Sequence, residues 1–341
     1  MKAIAYQKSL PITAPTSLVE IELPQPIASG HDLLVRIKTI AVNPVDYKIR
    51  QNVEPEPDQY KVLGWDAVGE VVGVGDEVSM FTPGDVVYYA GDLTRQGSNA
   101  EYQLVDERLV GHKPKSLSDA EAAALPLTAI TAWEMLFEHL KIQQQTPGVI
   151  NKTKEVILVV GAAGGVGSIM LQLAKVLTGA TVIATASRPS SQQWVKELGA
   201  DHVVDHTQDL EAQIASLKIG PVTHVASLNA TDTYLDSYVA LLAPFGRIAL
   251  IDDPKSLDIL KLKPKSLSLH WEFMFTRSMF QTTDMIEQSH LLNRLSLLVD
   301  EGYIKTTVAK NLGKILAENL KLAHAELASG RSIGKIVLEG F

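Results

Sequence analysis

The chain has 341 residues, 46% of them hydrophobic and 21% charged, with a net charge of −8 and no cysteine. That length supports two domains of ordinary size, and the acidic balance argues against a nucleic acid or an anionic membrane surface as the main partner. The missing cysteines exclude disulfides, thiolate nucleophiles and any cysteine-ligated zinc or iron–sulfur site.

The first residues, 1–8, contain no apolar run and no small-residue cleavage site, so the cytoplasm is the expected location. Short apolar or alternating runs at 3–7, 19–23, 32–42, 67–74, 86–90 and 100–105, separated by Gly, Pro, Asn and Asp, predict a β-rich first part. Within 32–42, Val35, Ile37 and Thr39 alternate with Arg36 and Lys38, the period of a strand with one wet face. Near Leu125 the character changes. Strand-like runs at 156–160, 181–185, 202–205, 222–228, 247–251 and 267–275 alternate with helix-length segments, which predicts a doubly wound parallel sheet. Residues 156–174 carry no charge, but the glycines inside them fit a buried strand and its crossover helix better than a membrane span. Residues 284–300 place Met285, Leu292, Leu295 and Val299 on one helical face, and 334–338 reads as a closing strand.

The most informative segment is Gly161-Ala162-Ala163-Gly164-Gly165-Val166-Gly167, set between the apolar run 156–160 and a helical pattern. Glycines there let a pyrophosphate approach unpaired backbone N–H groups at the positive end of a helix. The next apolar run follows one helix later and completes a βαβ unit of about 30 residues. At the end of that second strand, where NAD-binding chains usually carry an acid, the residues are Ala186, Ser187 and Arg188. A guanidinium and a hydroxyl complement a 2′-phosphate, so the expected cofactor is NADPH. Asn229 and Asp252 follow later strands at their carboxyl ends, where ligands of open α/β sheets bind.

Across essentially its whole length the chain resembles the medium-chain dehydrogenases/reductases, in their quinone-oxidoreductase-like branch. The resemblance is carried by residues 41–48 (Ala-Val-Asn-Pro-Val-Asp-Tyr-Lys), 63–69 (Leu-Gly-Trp-Asp-Ala-Val-Gly), 125–133, the glycine loop, 197–201, Ala323-His324 and 334–337. It is similar above all to zinc-type alcohol dehydrogenase-like proteins. The resemblance implies an α/β fold in which a Rossmann doubly wound parallel sheet, residues 127–275, is inserted in a β-rich GroES-like catalytic domain, residues 1–126 and 276–341. It also implies a homodimer joined through the edge strand 267–275, and a small-molecule substrate.

By the same resemblance, zinc alcohol dehydrogenases carry metal ligands at positions that here hold Asn43, Trp65 and Ala124, and none of these is a zinc ligand. The four-cysteine structural lobe is also missing, with a polar loop at 91–98 in its place. His202 and His206 would share one strand face, but they fall where the third nucleotide-domain strand begins and ends, so no metal is expected. Without a Lewis acid, a conjugated acceptor is the easier substrate, because charge arriving with hydride spreads over its π system. The expected activity is therefore zinc-independent transfer of hydride from NADPH to a quinone, enone or enal. The alternatives are a carbonyl or alcohol dehydrogenase using NADP, and a low-turnover NADPH-binding redox sensor.

The resemblance places Asn43, Asp46 and Tyr47 on the substrate side of the nicotinamide, with Trp65 shaping the pocket. Tyr47 is the candidate proton or hydrogen-bond donor; the alternative is a pocket-wall tyrosine with the proton drawn from water. Thr128 is expected at the nicotinamide, Gly164, Gly165 and Val166 at the pyrophosphate, and Ser187 and Arg188 at the 2′-phosphate. Phe275 and Lys335 are further expected cofactor contacts, with Phe275 equally readable as core. His324 is expected to pack or cap within the C-terminal helix.

Overall fold

The computed structural model describes residues 1–341, which divide into two compact units: Met1–Ile130 with Phe275–Phe341, and Thr131–Met274. The first unit is β-rich. It contains β1 (Lys2–Tyr6), β2 (Val19–Glu22), β3 (Asp32–Val42), β4 (Lys61–Val62), β5 (Ala67–Val74), β6 (Val86–Tyr89), β7 (Tyr102–Asp106) and β8 (Val110–His112), with α1 (Pro44–Asn52), α2 (Asp119–Ala123) and the start of α3 (Pro126–Trp133). Its central strand is β3. Val35, Ile37 and Thr39 are buried, while Arg36 and Lys38 reach the carboxylate of Glu70 on the paired β5 at 3.0 and 3.3 Å. The alternation thus becomes a dry face and a wet face of one sheet.

The second unit holds β9 (Val156–Val160), β10 (Thr181–Thr185), β11 (His202–Val204), β12 (Val222–Ser227), β13 (Leu242–Leu250) and β14 (Ser268–Trp271). These pair in the order β11-β10-β9-β12-β13-β14, all parallel. Between them run α4 (Gly165–Leu177), α5 (Pro189–Glu197), α6 (Leu210–Ser216) and α7 (Thr231–Leu241). Every residue of β9 is buried, as its uninterrupted apolar sequence requires in the middle of a two-sided sheet. Leu158, Ile183, Val225 and Ile248, one from each neighbouring strand, share a core with Leu235 and Tyr238 of α7. The uncharged stretch 156–174 is therefore β9, a turn and most of α4, and no helix is long and apolar enough to cross a membrane. The last strand is shorter than the predicted 267–275. It ends at Trp271; the buried Glu272 beyond it still donates its N–H to Leu250 O at 2.8 Å while its side chain bonds His139 at 2.8 Å, and Phe275 already opens the next helix.

The chain returns to the first unit with α8 (Thr276–Phe280), α9 (Glu287–Asp300), β15 (Val308–Asn311), α10 (Ala317–Ala328) and β16 (Lys335–Glu339). The predicted apolar face of α9 is buried at Leu292, Leu295 and Val299. β16 pairs with β3 antiparallel, Ile336 opposite Val42, and this register carries Lys335 to the level of Asn43.

Candidate functional site

In the first unit the site is built where β3 gives way to α1. Asn43 is extended and Pro44 takes the first helical position, where its fixed φ suits the helix and its missing N–H costs nothing. The Asp46 carboxylate turns back to accept the Asn43 N–H at 2.6 Å. This is one half of a capping box. The Asn43 amide is used elsewhere: it donates to Trp65 O at 2.9 Å and to Asp66 Oδ2 at 2.8 Å, and its oxygen accepts from the Lys335 ammonium. Lys335 also donates to Asp66 Oδ2 at 2.8 Å and to Val42 O at 3.2 Å. The other Asp66 oxygen accepts Leu127 N–H at 2.8 Å, in the first turn of α3.

Two carboxyls and one ammonium are thus enclosed together. Asp46, Asp66 and Lys335 are 1%, 0% and 3% exposed, which leaves little solvent to screen them. Burial pushes the Asp46 carboxyl up to about 7; the charge of Asp66 adds to this, and the Asn43 N–H and the Lys335 charge oppose it. Burial raises Asp66 too, against the direct pull of Lys335. One Asp46 oxygen, Oδ1, is buried without a hydrogen-bond partner. The arrangement sets the Asp66 carboxyl directly against the Lys335 ammonium, with a second buried carboxyl, Asp46, raised by its burial beside them.

Other predicted residues of this unit lie close by in the fold. Tyr47 follows Asp46 on α1 and is half-buried. Trp65 is fully buried, donates its indole N–H to Asp92 O at 3.2 Å, and meets Phe275 edge-on at 6.2 Å between centroids. Thr128 is buried next to Leu127, with its hydroxyl on Leu125 O at 3.1 Å. Sequence reasoning missed Asp66 as the hub. The available signal was an acid standing alone in the apolar stretch 62–68.

In the second unit, the chain leaves β9 through Gly161 at φ +80°, a conformation that favours glycine. Gly164 caps α4 with no side-chain hydrogen bond, and no acid stands in the first turn. The first backbone N–H groups of α4 therefore point out of the helix without intrahelical acceptors. A Cβ at Gly164 would meet only Gly161 O, at 3.5 Å, whereas one at Gly167 would lie 2.4 Å from Ala162 O. The two glycines serve different ends: Gly167 lets the helix pack on the turn, and Gly164 leaves the approach to its N-terminus open. Ser187 and exposed Arg188 follow β10, with Arg188 at the start of α5. Asn229 stands against Gly161, so a Cβ there would lie 2.8 Å from Asn229 Oδ1. Asp252 accepts the Thr231 N–H at 2.8 Å and its hydroxyl at 2.5 Å, capping α7. Because the strands are parallel, the glycine turn, Ser187, Arg188, Asn229 and Asp252 all lie at their carboxyl ends.

A GroES-like β-rich unit and a parallel Rossmann-type sheet, in one chain, define an oxidoreductase of the alcohol dehydrogenase-like kind. Residues 29–115 match the alcohol dehydrogenase GroES-like domain, and residues 165–290 match the zinc-binding dehydrogenase family. A zinc-type alcohol dehydrogenase-like protein of Staphylococcus aureus is 39% identical over 342 aligned residues, covering 99% of each chain. A solved structure from Rhizobium etli, named for the zinc-dependent alcohol dehydrogenases, superposes with a TM-score of 0.95 at 53% identity, covering 100% of this chain and 98% of that one. The Escherichia coli quinone oxidoreductase, solved as a complex with NADPH, superposes at 0.84 with 25% identity over 99% of this chain and 100% of that one. The chain belongs to the medium-chain dehydrogenase/reductase superfamily, among its zinc-type alcohol dehydrogenase-like proteins.

The residues present do not fit a zinc ion. The Asn43 oxygen is held by an ammonium, Trp65 offers only a donor N–H that is already committed, and Ala124 has no ligating atom. No group of three or more His, Asp or Glu side chains lies close enough to hold a metal. The glycine turn and the Ser187-Arg188 pair do fit a phosphorylated dinucleotide, with an open helix N-terminus for the pyrophosphate and a guanidinium in place of an acid.

Proposed function

We propose that this oxidoreductase is a zinc-independent, NADPH-dependent reductase of quinones or α,β-unsaturated carbonyls, acting in the cytoplasm as a homodimer joined through β14. The observation that carries the reading is the occupation of Asn43 by the Lys335 ammonium, at a position where zinc dehydrogenases place a ligand. A substrate that needs no metal must spread the incoming charge itself, and a conjugated acceptor does so.

On this reading residues 127–275 bind the cofactor, and residues 1–126 with 276–341 form the substrate side. Gly164, Gly165 and Val166 hold the pyrophosphate, Ser187 and Arg188 the 2′-phosphate, and Thr128 the nicotinamide, with Asn229, Asp252 and Phe275 completing the cofactor's surroundings. The bound cofactor supplies the hydride. Asn43, Asp46 and Tyr47 orient the acceptor and answer the charge that develops on its oxygen, Trp65 closes the pocket wall, and Tyr47 donates the hydrogen bond or proton. The NADPH-bound state of the Escherichia coli relative and the absence of an acid after β10 both support the choice of cofactor.

The test is NADPH oxidation with phenanthrenequinone, cyclohexenone and cyclohexanone in parallel. The reading predicts turnover of at least one conjugated acceptor and none of cyclohexanone. Equal turnover of cyclohexenone and cyclohexanone carbonyls would sink it.

A further inference from the structure

Lys335 is placed to act in a way that a direct cofactor contact does not describe. An ammonium has three N–H donors, and here three acceptors inside the chain engage it: Val42 O, Asn43 Oδ1 and Asp66 Oδ2. With 3% exposure it has no donor left to offer an external phosphate or ribose. Its partners, however, lead outward. Asn43 opens α1, the helix of Asp46 and Tyr47. Asp66 continues through its second oxygen to Leu127 N–H, beside Thr128 in α3. One buried charge is therefore common to the start of the helix carrying the proposed substrate groups and the start of the helix carrying the proposed nicotinamide contact.

We propose that Lys335 is a positioning residue, an internal cation that fixes Asn43 and Asp66 and through them holds the starts of α1 and α3 in one geometry for hydride transfer. The inference rests on the proposed roles of Tyr47 and Thr128. Asn43, at a position where zinc dehydrogenases carry a metal ligand, is here a ligand of the chain's own ammonium. A buried ion pair suits this purpose because its members have no solvent to turn to, so removing one leaves the other uncompensated and releases everything bonded to both.

The experiment compares the wild-type chain with Lys335→Met, Asp66→Asn and the double variant. The readouts are amide hydrogen exchange, NADPH affinity by fluorescence, and steady-state kinetics with cyclohexenone and phenanthrenequinone. In Lys335→Met, exchange should accelerate on the order of a hundredfold in both 43–52 and 126–130, with β9 to β13 unchanged. NADPH affinity should stay within about threefold of wild type while kcat falls about tenfold or more, since misplacement taxes the reaction and not the grip on the cofactor. The double variant, with neither charge, should stay loosened in both segments, because the cation that joins Asn43 to Asp66 is gone; recovery of the protection would show that an uncompensated charge alone was at fault and would overturn the proposal. If Lys335→Met does not fold, Asp66→Asn decides: it keeps the shape of the side chain and must loosen both segments together.

Loosening of only one segment overturns the proposal. So does a tenfold or larger loss of NADPH affinity with both segments unchanged, which would make Lys335 a direct cofactor ligand. Wild-type protein that turns over no acceptor would refute the reductase reading alone, since the exchange measurements judge the link between the two helices without it.

Discussion

The two glycines of the nucleotide turn should separate under the same mutation. A methyl at Gly167 would sit 2.4 Å from Ala162 O and 2.5 Å from Ala162 C and Cα, all backbone atoms with no flexible end to move aside. α4 must lift by about an ångström, an overpacking cost of roughly 1–3 kcal/mol, partly offset by the gain of up to about 1 kcal/mol for alanine over glycine in a helix. Gly167→Ala should therefore lose about 1–2 kcal/mol, a fall of some 2–8 °C in the melting temperature of its unit. At Gly164 the backbone is extended (φ −73°, ψ −179°) and the nearest atom to a new Cβ is Gly161 O at 3.5 Å, an ordinary contact. The loss of a glycine cap and the reduced entropy of the unfolded chain nearly cancel there, so Gly164→Ala should keep its stability within about 0.5 kcal/mol. Its NADPH affinity should nonetheless fall by about tenfold or more, because the methyl occupies the approach to the helix N-terminus. Urea melts and fluorescence titration with NADPH measure both variants. Wild-type affinity in Gly164→Ala would refute the assignment of the turn to the pyrophosphate, and wild-type stability in Gly167→Ala would refute the packing argument.

Arg188→Glu should weaken NADPH by roughly 1.5–3 kcal/mol, the worth of a charge-assisted hydrogen bond, and leave NADH nearly unchanged; equal losses for both in competitive titrations would remove Arg188 from the 2′-phosphate. Asp46 keeps its proton to about 7 in the folded chain, whereas the unfolded carboxyl releases it near 3.8, so its contribution is complete below that lower value and is lost as pH rises through 7. Asp46→Asn abolishes this loss, and its stability relative to wild type should improve by up to about 1.4 kcal/mol per pH unit between about pH 4 and about pH 7; a difference that does not change with pH in urea melts would contradict the assignment. His324 has the opposite sign: burial, helped by the charge of Arg50 bonded to its ring, lowers it to about 3. The unfolded imidazole takes up a proton first, so stability falls on acidification from about pH 6.5. His324→Gln should flatten that acid limb, and an unchanged limb would show that other groups govern it.

The regular elements were legible where local physics dictates them. β3 announced itself by strict alternation, β9 by an unbroken apolar run, and α4 by glycines followed by helical spacing. Three short strands, β4, β8 and β15, carry too little pattern to be read. Val308–Asn311 has the sequence Val-Ala-Lys-Asn and is a strand only because β16 lies beside it. β13 begins at Leu242, before Pro244 and Gly246, which read as a loop until their neighbour in the sheet is known. The site divides in the same way. The glycine turn is contiguous and speaks for itself, whereas the union of Lys335 with Asp66 spans 269 positions and exists only because β16 pairs with β3 in one register. Asp252 stood at a strand end by sequence; that its carboxylate caps Thr231 is a fact of the folded chain.

Metal content and NADPH turnover, determined in the same sample, decide whether residues that hold no zinc carry the catalysis. The full chain, treated with chelator and assayed for zinc by mass spectrometry, is given NADPH and phenanthrenequinone. Turnover is expected at far below one zinc per chain, with no gain on adding the metal back. Turnover that vanishes with the chelator and returns in proportion to zinc bound would contradict that expectation.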